Sequence, residues 1–427
     1  MACHPMELRE QELLRTYPPI QSCEQHRFMA RPQMDLHDQE DGATMRIVTL
    51  LLHDERFSGW SINEKLRRLH FSKQYLKYCK DFGWEPYIYC FHQSLREKQV
   101  YEIEDLGVIK VFPVDFRFPP FLRFGNDHNP KALLRELARD SPDLIHFHQY
   151  YMFSFPYIAK FVKKKLNCPL TAQLHGYHQR WIRRLFYMPS LLSLKMVNRV
   201  FYSYQSEEEV YRKLDLLDKA VRVPMPSINP KIFKPSRKGD ELDLLYVGRV
   251  PLSLSTYGDK SPILLLYLLH RLLRYKDVKL TIVGDGPGLP YCKDLASKLE
   301  IEENVDFTGY LPHSMLPEVY QSSMLTLVPM ELDDVDGFFD GAIQESLACG
   351  TAVAAFKASS RTPSEGSLGF LLSKDIDDAA AEVSALLDEP EILDKMAMKG
   401  SRFVRYHCSE ERLKQKLRFE WEGLMKR

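Results

Sequence analysis

The chain has 427 residues, 44% of them hydrophobic, and its 58 Lys and Arg are balanced by 58 Asp and Glu. That length suggests two or three domains, each with enough apolar residues for a buried core. The even charge leaves no whole-chain field to attract a nucleic acid or a membrane; no nucleic-acid partner is expected, and a membrane would need a local patch. The eight cysteines are scattered without a C-x-x-C, which argues against a disulfide framework or a zinc site and for a reducing compartment. The opening MACHPMELREQELL lacks the apolar stretch of a secretory signal. The most apolar run, 262–273, is broken by His270 and Arg271, well short of the roughly 20 residues of a spanning helix. The expectation is a cytoplasmic protein, at most peripheral at the inner face of a membrane.

Residues 1–44 are polar and aperiodic, and are expected to form an extension, partly disordered. Folded structure is predicted to begin at 45–52 (MRIVTLLL), an apolar run suited to a parallel strand buried on both faces. A loop holding Ser58-Gly59-Trp60, an amphipathic helix through Lys80 and a strand over 87–91 follow, the opening of a Rossmann-like half. Residues 108–114 are predicted as strand and 129–140 as helix. PDLIHFH at 142–148 leads to a basic helix around 160–166 and a strand over 169–174 that ends in His175-Gly176. His146 and His148 read equally well as functional groups or as polar residues closing a strand. His175, ending a buried strand beside a glycine, favours a functional role. The stretch 179–204 mixes Arg180, Arg183, Arg184, Lys195 and Arg199 with Trp181, Phe186, Tyr187, Leu191 and Leu192. Such basic–aromatic segments lie on membranes or, more often, form core helices with a solvated basic face.

Short strands over 200–204 and 221–224 precede 224–240, a Pro-, Lys- and Ser-rich segment predicted to link two domains. A buried strand over 242–247 ends at Gly248-Arg249. Lys260-Ser261-Pro262 then precedes a helix over 263–274, with proline suited to its first turn. A strand over 278–283 runs into GDGPG at 284–288, followed by a helix over 291–299 and a short helix over 316–321.

The most informative stretch is 328–353, VPMELDDVDGFFDGAIQESLACGTAV. It reads as the tail of a buried strand, then a loop carrying Glu331, Asp333, Asp334, Asp336 and Asp340, then a helix ending at Gly350, where positive φ is wanted. In an open parallel sheet such a loop lies at the carboxyl edge, where ligands bind. Asp340 stands at the helix entrance, placed to cap its N–H groups. Glu345 faces the crevice if Ile343 and Leu347 face the core. A strand over 351–356, helices over 375–387 and 390–404, and a last helix entered through Ser409 complete the chain.

QESLACGTAV resembles the EAxACGTPV signature of the retaining nucleotide-sugar glycosyltransferases of family 4 (group 1), which have the GT-B fold. YVGR at 246–249, GDGPG, VDFTG at 305–309, Phe233 with Pro235, PDLIHFH and His175-Gly176 resemble further segments of that family. The resemblance runs from about 45 to 426 and is strongest over 242–350. It implies an α/β protein with two Rossmann-like domains facing a cleft: an acceptor domain over 45–223, a linker over 224–240, a donor domain over 241–404, and a final segment over 405–427 crossing back to the first domain.

The resemblance also implies roles. Arg249 and Lys260 would clamp the donor diphosphate, a guanidinium fork and a point charge beside helix-terminal N–H groups, with Gly59 approaching the phosphates. Glu345 would accept hydrogen bonds from the ribose hydroxyls. Gly284 and Gly286 would form the donor turn, and His175 would contact the sugar. Gly337 stands where the family has the first glutamate of its Glu-x7-Glu pair, leaving Asp336 or Asp340 to orient the sugar.

The implied reaction is retaining transfer of a hexose-like sugar from a UDP- or GDP-sugar to a glycan, a lipid-linked acceptor or a small molecule, with no cofactor. No metal is expected: Asp334-Val335-Asp336 lacks the strand context of a manganese-binding D-x-D, and EF-hand spacing fails. Arg, Lys and helix dipoles neutralise the leaving diphosphate in GT-B enzymes. Peripheral membrane contact would run through 179–199. A nucleotide-sugar epimerase and a non-catalytic nucleotide-sugar-binding protein are the alternatives on this fold.

Overall fold

The computed structural model describes residues 44–426 apart from 53–60, 69, 93, 104, 115–129, 149–151, 153, 174–187, 204, 225–226, 237–241, 252–260, 333–339 and 358–367. They form two compact units, one of residues up to 224 together with 411–426, the other of 227–410.

The amino-terminal unit is built on eight strands: β1 (Arg46–Leu51), β2 (Glu85–His92), β3 (Gln99–Ile103), β4 (Gly107–Pro113), β5 (Leu144–His148), β6 (Leu170–Gln173), β7 (Arg199–Tyr202) and β8 (Ala220–Arg222). Their order is β3-β4-β2-β1-β5-β6-β7-β8. Every pair is parallel except β3–β4. β1 is mostly apolar and β5 is buried throughout because both sheet faces are covered. On one face, Val48, Ile145 and Phe147 pack with Leu133, Phe155, Ile158, Leu191 and Tyr211 of the crossover helices. On the other, the last helix of the chain, Glu410–Met425, lays Leu413, Leu417, Trp421 and Leu424 against Ile47, Tyr75, Tyr78, Phe201 and Val223.

Two elements of this unit were not expected. β3 is an edge strand whose residues are mostly exposed, so its pattern lacks an apolar face. The helix Gln205–Lys213 is almost all polar; Glu207 and Glu208 in its first turn and Arg212 and Lys213 in its last complement the helix dipole.

His146 is a core histidine. Its Nδ1 meets Thr171 Oγ1 at 2.9 Å and its Nε2 meets Gln173 Oε1 at 3.1 Å. Tyr75 stacks on its ring at 5.1 Å and Trp421 lies at 5.4 Å. Burial lowers its pKa to about 3, so it stays neutral and serves packing. His148 sits edge-on to Tyr75 at 5.7 Å.

The carboxyl-terminal unit holds six parallel strands: β9 (Leu242–Val247), β10 (Leu280–Val283), β11 (Val305–Gly309), β12 (Ser323–Leu332), β13 (Ala352–Lys357) and β14 (Phe370–Leu372). Their order is β11-β10-β9-β12-β13-β14. The apolar run beginning at Pro262 is the helix Ile263–Leu272, buried around most of its circumference within the core that the sheet shares with Ala379, Ala380 and Val383. β12 runs further than its sequence suggested. Its register on β13 shifts between Val328 and Glu331, so Glu331 belongs to the strand and not to the acidic loop. Pro329, which has no N–H to give a ladder, falls inside that irregularity.

Trp421 is fully buried and touches the rings of Tyr75, Trp84 and His146. Trp421→Ala should therefore cost about 3–5 kcal/mol of stability by urea unfolding. A loss under about 1 kcal/mol would mean that the last helix is not part of this core.

Candidate functional site

The chain leaves β9 towards β10 and β11, and leaves β12 towards β13 and β14. Neighbouring strands whose connections depart in opposite directions open a crevice at their carboxyl ends. Gly248-Arg249 follows β9, and Asp340 with the helix Gly341–Cys349 follows β12, so the fold brings Arg249, Asp340 and Glu345 to one edge of the sheet.

Backbone hydrogen bonds lock the floor of this edge. Gly248 N donates to Val283 O at 3.0 Å, Val250 N to Asp285 O at 3.1 Å and Gly288 N to Val250 O at 3.0 Å. Gly284 N donates to Gly309 O at 2.8 Å. Gly284 and Gly286 have φ of +145° and +155°, and a Cβ on them would stand 1.7 Å from Gly248 O and 2.3 Å from Val250 O. In this structure the two glycines let the turns after β9 and β10 touch backbone to backbone. Arg249 is exposed, and its carbonyl accepts from the Tyr246 hydroxyl at 2.7 Å.

Asp340 is the N-cap of the helix, with φ −84° and ψ 148°, and its Oδ1 accepts from Ala342 N at 3.2 Å. At the other end Gly350 has φ +82°, as a left-handed C-terminal residue requires. Ser346 Oγ donates to Thr326 Oγ1 of β12 at 2.8 Å. Both ends and the register of the helix are thus fixed, and the direction of Glu345 with them. The negative charge of Asp340 also reaches Tyr246 and Tyr320, helping burial to raise both phenols.

Glu345 is held by two donors. His313 Nε2 lies 2.7 Å from Oε1, and the Tyr320 hydroxyl donates to Oε2 at 3.2 Å. The Glu345 side chain is 12% exposed and that of His313 is 41% exposed. The hydrogen bond to Glu345 raises the His313 pKa against the opposing effect of burial. Burial, with Glu345 beside it, holds the Tyr320 phenol well above its usual range, so it acts as a donor. An ionised carboxylate has about four lone-pair sites, and these two contacts leave capacity on each oxygen.

Behind this cluster lies the segment leading into the unit. Asn229 Oδ1 accepts from Lys231 N at 3.0 Å, and Asn229 O from Phe233 N at 2.9 Å. The resulting turn places the buried Phe233 ring 5.0 Å from that of His313 and 6.5 Å from that of Tyr320.

Arg249, Asp340, Glu345, Gly284 and Gly286 therefore share the carboxyl edge of one sheet. Gly59, His175, Lys260 and Asp336 lie outside the described residues. His313 and Tyr320 were missed from the sequence, since they meet Glu345 across 32 and 25 residues and no local spacing announces such a contact. Of the basic–aromatic stretch, 188–203 is described. Leu191 and Leu194 are core residues, whereas Met188 and Leu192 are exposed. Arg199 is not part of a free basic face, because its Nε pairs with Glu420 at 2.8 Å.

Residues 228–403 match the family model of the glycosyl transferases group 1, and 73–224 match that of glycosyltransferase family 4. An alpha-monoglucosyldiacylglycerol synthase of Streptococcus pneumoniae is 28% identical over 283 residues, 61% of this chain. The match spans 62% of that relative's length, less than two thirds. Among solved structures, sucrose-phosphate synthase of Thermosynechococcus elongatus superposes with a TM-score of 0.65 at 17% identity, covering 90% of this chain and 99% of the other. Anabaena HepE, solved with UDP and glucose, superposes with a TM-score of 0.62 at 15% identity, covering 89% and 100%. At these identities the two structures establish the fold, which is GT-B.

Two measurements check the geometry. Asp340→Ala removes the cap and should cost about 1 kcal/mol, whereas Gly284→Ala drives a Cβ into a carbonyl and should cost about 3 kcal/mol or more; equal losses on thermal unfolding would contradict this ordering. Because the folded pKa of His313 is raised, its pairing stabilises fully below the unfolded value of about 6.5 and fades as pH rises through the folded one. The Tm difference between wild type and His313→Gln should be largest near about pH 5.5 and shrink towards about pH 8.5. A difference that grows with pH would mean that the ion pair is absent.

Proposed function

The chain belongs to the group 1 glycosyltransferases of the GT-B fold, and from that premise we propose that it is a retaining enzyme moving a hexose-like sugar from a UDP- or GDP-sugar to a lipid-linked acceptor. One observation carries the donor half: an exposed guanidinium and a gripped carboxylate, Arg249 and Glu345, at the carboxyl ends of the two strands that flank the topological switch point. That pairing suits a nucleoside diphosphate, whose phosphates need a fork of N–H donors and whose ribose offers a vicinal diol.

The N-terminus of the helix Gly341–Cys349 is already met by the Asp340 carboxylate. Neutralising the leaving diphosphate therefore falls to Arg249 and, by resemblance, Lys260, with Gly59 close to the phosphates and His175 against the sugar. The capping bond of Asp340 also makes Asp336 the better candidate to orient the sugar. A residue that holds a helix end cannot swing towards a substrate without releasing an N–H. In this reading charge is neutralised by side chains, with no metal ion.

The acceptor half rests on a surface of the amino-terminal unit and on the likeness to the pneumococcal alpha-monoglucosyldiacylglycerol synthase. Phe155, Ile158 and Val162 pack in the same cluster as Leu191 and Leu194, so their two helices share a face of the sheet. On the outside of those helices Tyr157, Met188 and Leu192 are exposed, beside the exposed Lys160, Lys163, Lys164, Lys165 and Lys195. Among the described residues no helix is long and apolar enough to cross a membrane. Aromatic and aliphatic tips among lysines suit the surface of an anionic bilayer.

Arg249→Ala should weaken UDP or GDP binding about 30-fold, or about 2 kcal/mol, by calorimetry, and unchanged affinity would remove Arg249 from the site. Asp336→Asn should lower turnover on a panel of UDP- and GDP-sugars without moving the Tm; full turnover in that variant, with loss in Asp340→Asn at unchanged Tm, would reverse the two roles. A chelator should leave activity intact, and a loss restored by manganese would overturn the metal-free reading. Pelleting with vesicles of phosphatidylglycerol should fall as salt rises and in Leu192→Glu, and absence of binding at low salt would favour a soluble acceptor.

A further inference from the structure

We propose that His313 is a positioning residue for Glu345, orienting its carboxylate towards the ribose and thereby setting the preference for ribo- over 2′-deoxyribonucleotide donors. The inference rests on Glu345 being the ribose ligand.

A glutamate has three rotatable bonds, and an unheld carboxylate at a crevice edge would sample several orientations. To accept from two vicinal hydroxyls at once, both oxygens must present their free lone pairs on the same side. Glu345 receives one donor on each oxygen, His313 Nε2 at 2.7 Å and the Tyr320 hydroxyl at 3.2 Å, which fixes the plane of the carboxylate while leaving each oxygen able to accept again.

His313 is itself set from two directions. It opens a turn of 3-10 helix, His313–Met315, in which Met315 N donates to Pro312 O at 2.9 Å; the proline restricts the backbone that carries it. Its ring packs 5.0 Å from Phe233. The Phe233 turn is anchored in turn by Lys234 O, which accepts from Gln321 Nε2 at 2.9 Å. The orientation of Glu345 thus depends on contacts from three separated segments: the turn at 229–235, the turn after β11 and the helix Leu316–Gln321. Of the two donors, Tyr320 is fully buried and packed, so replacing it would disturb the fold. His313 is 41% exposed on its side chain, so its hydrogen bond can be removed with little loss of packing.

Calorimetry with UDP and 2′-deoxy-UDP, with GDP and 2′-deoxy-GDP in parallel, tests this on wild type, His313→Leu, His313→Gln, Glu345→Gln and the His313→Leu/Glu345→Gln double variant, with Tm recorded for each. Wild type should prefer the ribonucleotide by roughly tenfold or more, as for one hydrogen bond to a charged group. His313→Leu should lose most of that preference while its affinity for the deoxy form stays within about twofold, and the double variant should be no worse than Glu345→Gln, as coupled residues require. His313→Gln, which keeps an N–H donor, should retain most of the preference. If His313→Leu keeps the preference while Glu345→Gln loses it, the positioning role is wrong and the ribose reading stands. If Glu345→Gln keeps it, the ribose reading itself fails. Equal loss of both nucleotides in His313→Leu would make the residue a direct ligand or a structural prop and would also overturn the proposal.

Discussion

The carboxyl-terminal unit is organised by the divergence of the chain at β9 and β12, which lie side by side while their connections leave in opposite directions. Only there can two strand-end loops part without a crossover helix covering them. The consequences run outward from that point. The turn after β9 must be tight enough to expose Arg249, and it is held by the turn after β10, which needs glycine at 284 and 286 for the backbones to meet. The loop after β12 must return into a helix whose first turn faces the same opening. Asp340 begins that helix and Gly350 ends it, so Glu345 has one direction available.

How legible this was depended on the range of the interactions. β9 was predicted to the residue, since a buried parallel strand is a continuous apolar run between turn residues and needs no partner to be recognised. Asp340 as a cap and Gly350 as a helix stop were equally local. β3 and the helix Gln205–Lys213 escaped because one is a mostly exposed edge and the other, though it buries Tyr211, is mostly polar and stabilised by its end charges and by pairs such as Arg212 with Glu208 at 2.9 Å. Glu331 was assigned to the loop because a proline and a run of acids look like the end of a strand, whereas the irregularity after Val328 lets the pairing resume. In the site, the motif residues were visible and their holders were not. His313 and Tyr320 come from turns and helices whose relation to Glu345 exists only once β11, β12 and the helices between them are packed.

The two histidines show how little residue type says by itself. His146 sits in the middle of β5, in a segment that resembles a functional motif, yet it is enclosed by Tyr75, Trp421 and Phe201 and answered by a threonine and a glutamine. Burial without a counter-charge favours the neutral ring, and its pKa falls to about 3. His313 sits in an unremarkable turn, partly open to solvent, with a carboxylate 2.7 Å away, and its pKa rises. A neutral, saturated imidazole braces a core. One hydrogen-bonded to a carboxylate holds that carboxylate in place.

The same distinction bears on how a displaced motif can still work. The family's first glutamate is replaced here by Gly337, and the nearest described carboxylate, Asp340, is bonded to the helix end. A capped aspartate is worth about 1 kcal/mol to the helix, and it places a negative charge where a phosphate would otherwise meet the helix dipole. In the proposed reading both effects turn the donor's phosphates towards Arg249. In that reading the sugar then falls to a carboxylate other than the cap, the role given to Asp336. Glu345, by contrast, needs no freedom to move: its two donors leave lone pairs unfilled, so a ribose can be received without breaking what holds the carboxylate in place.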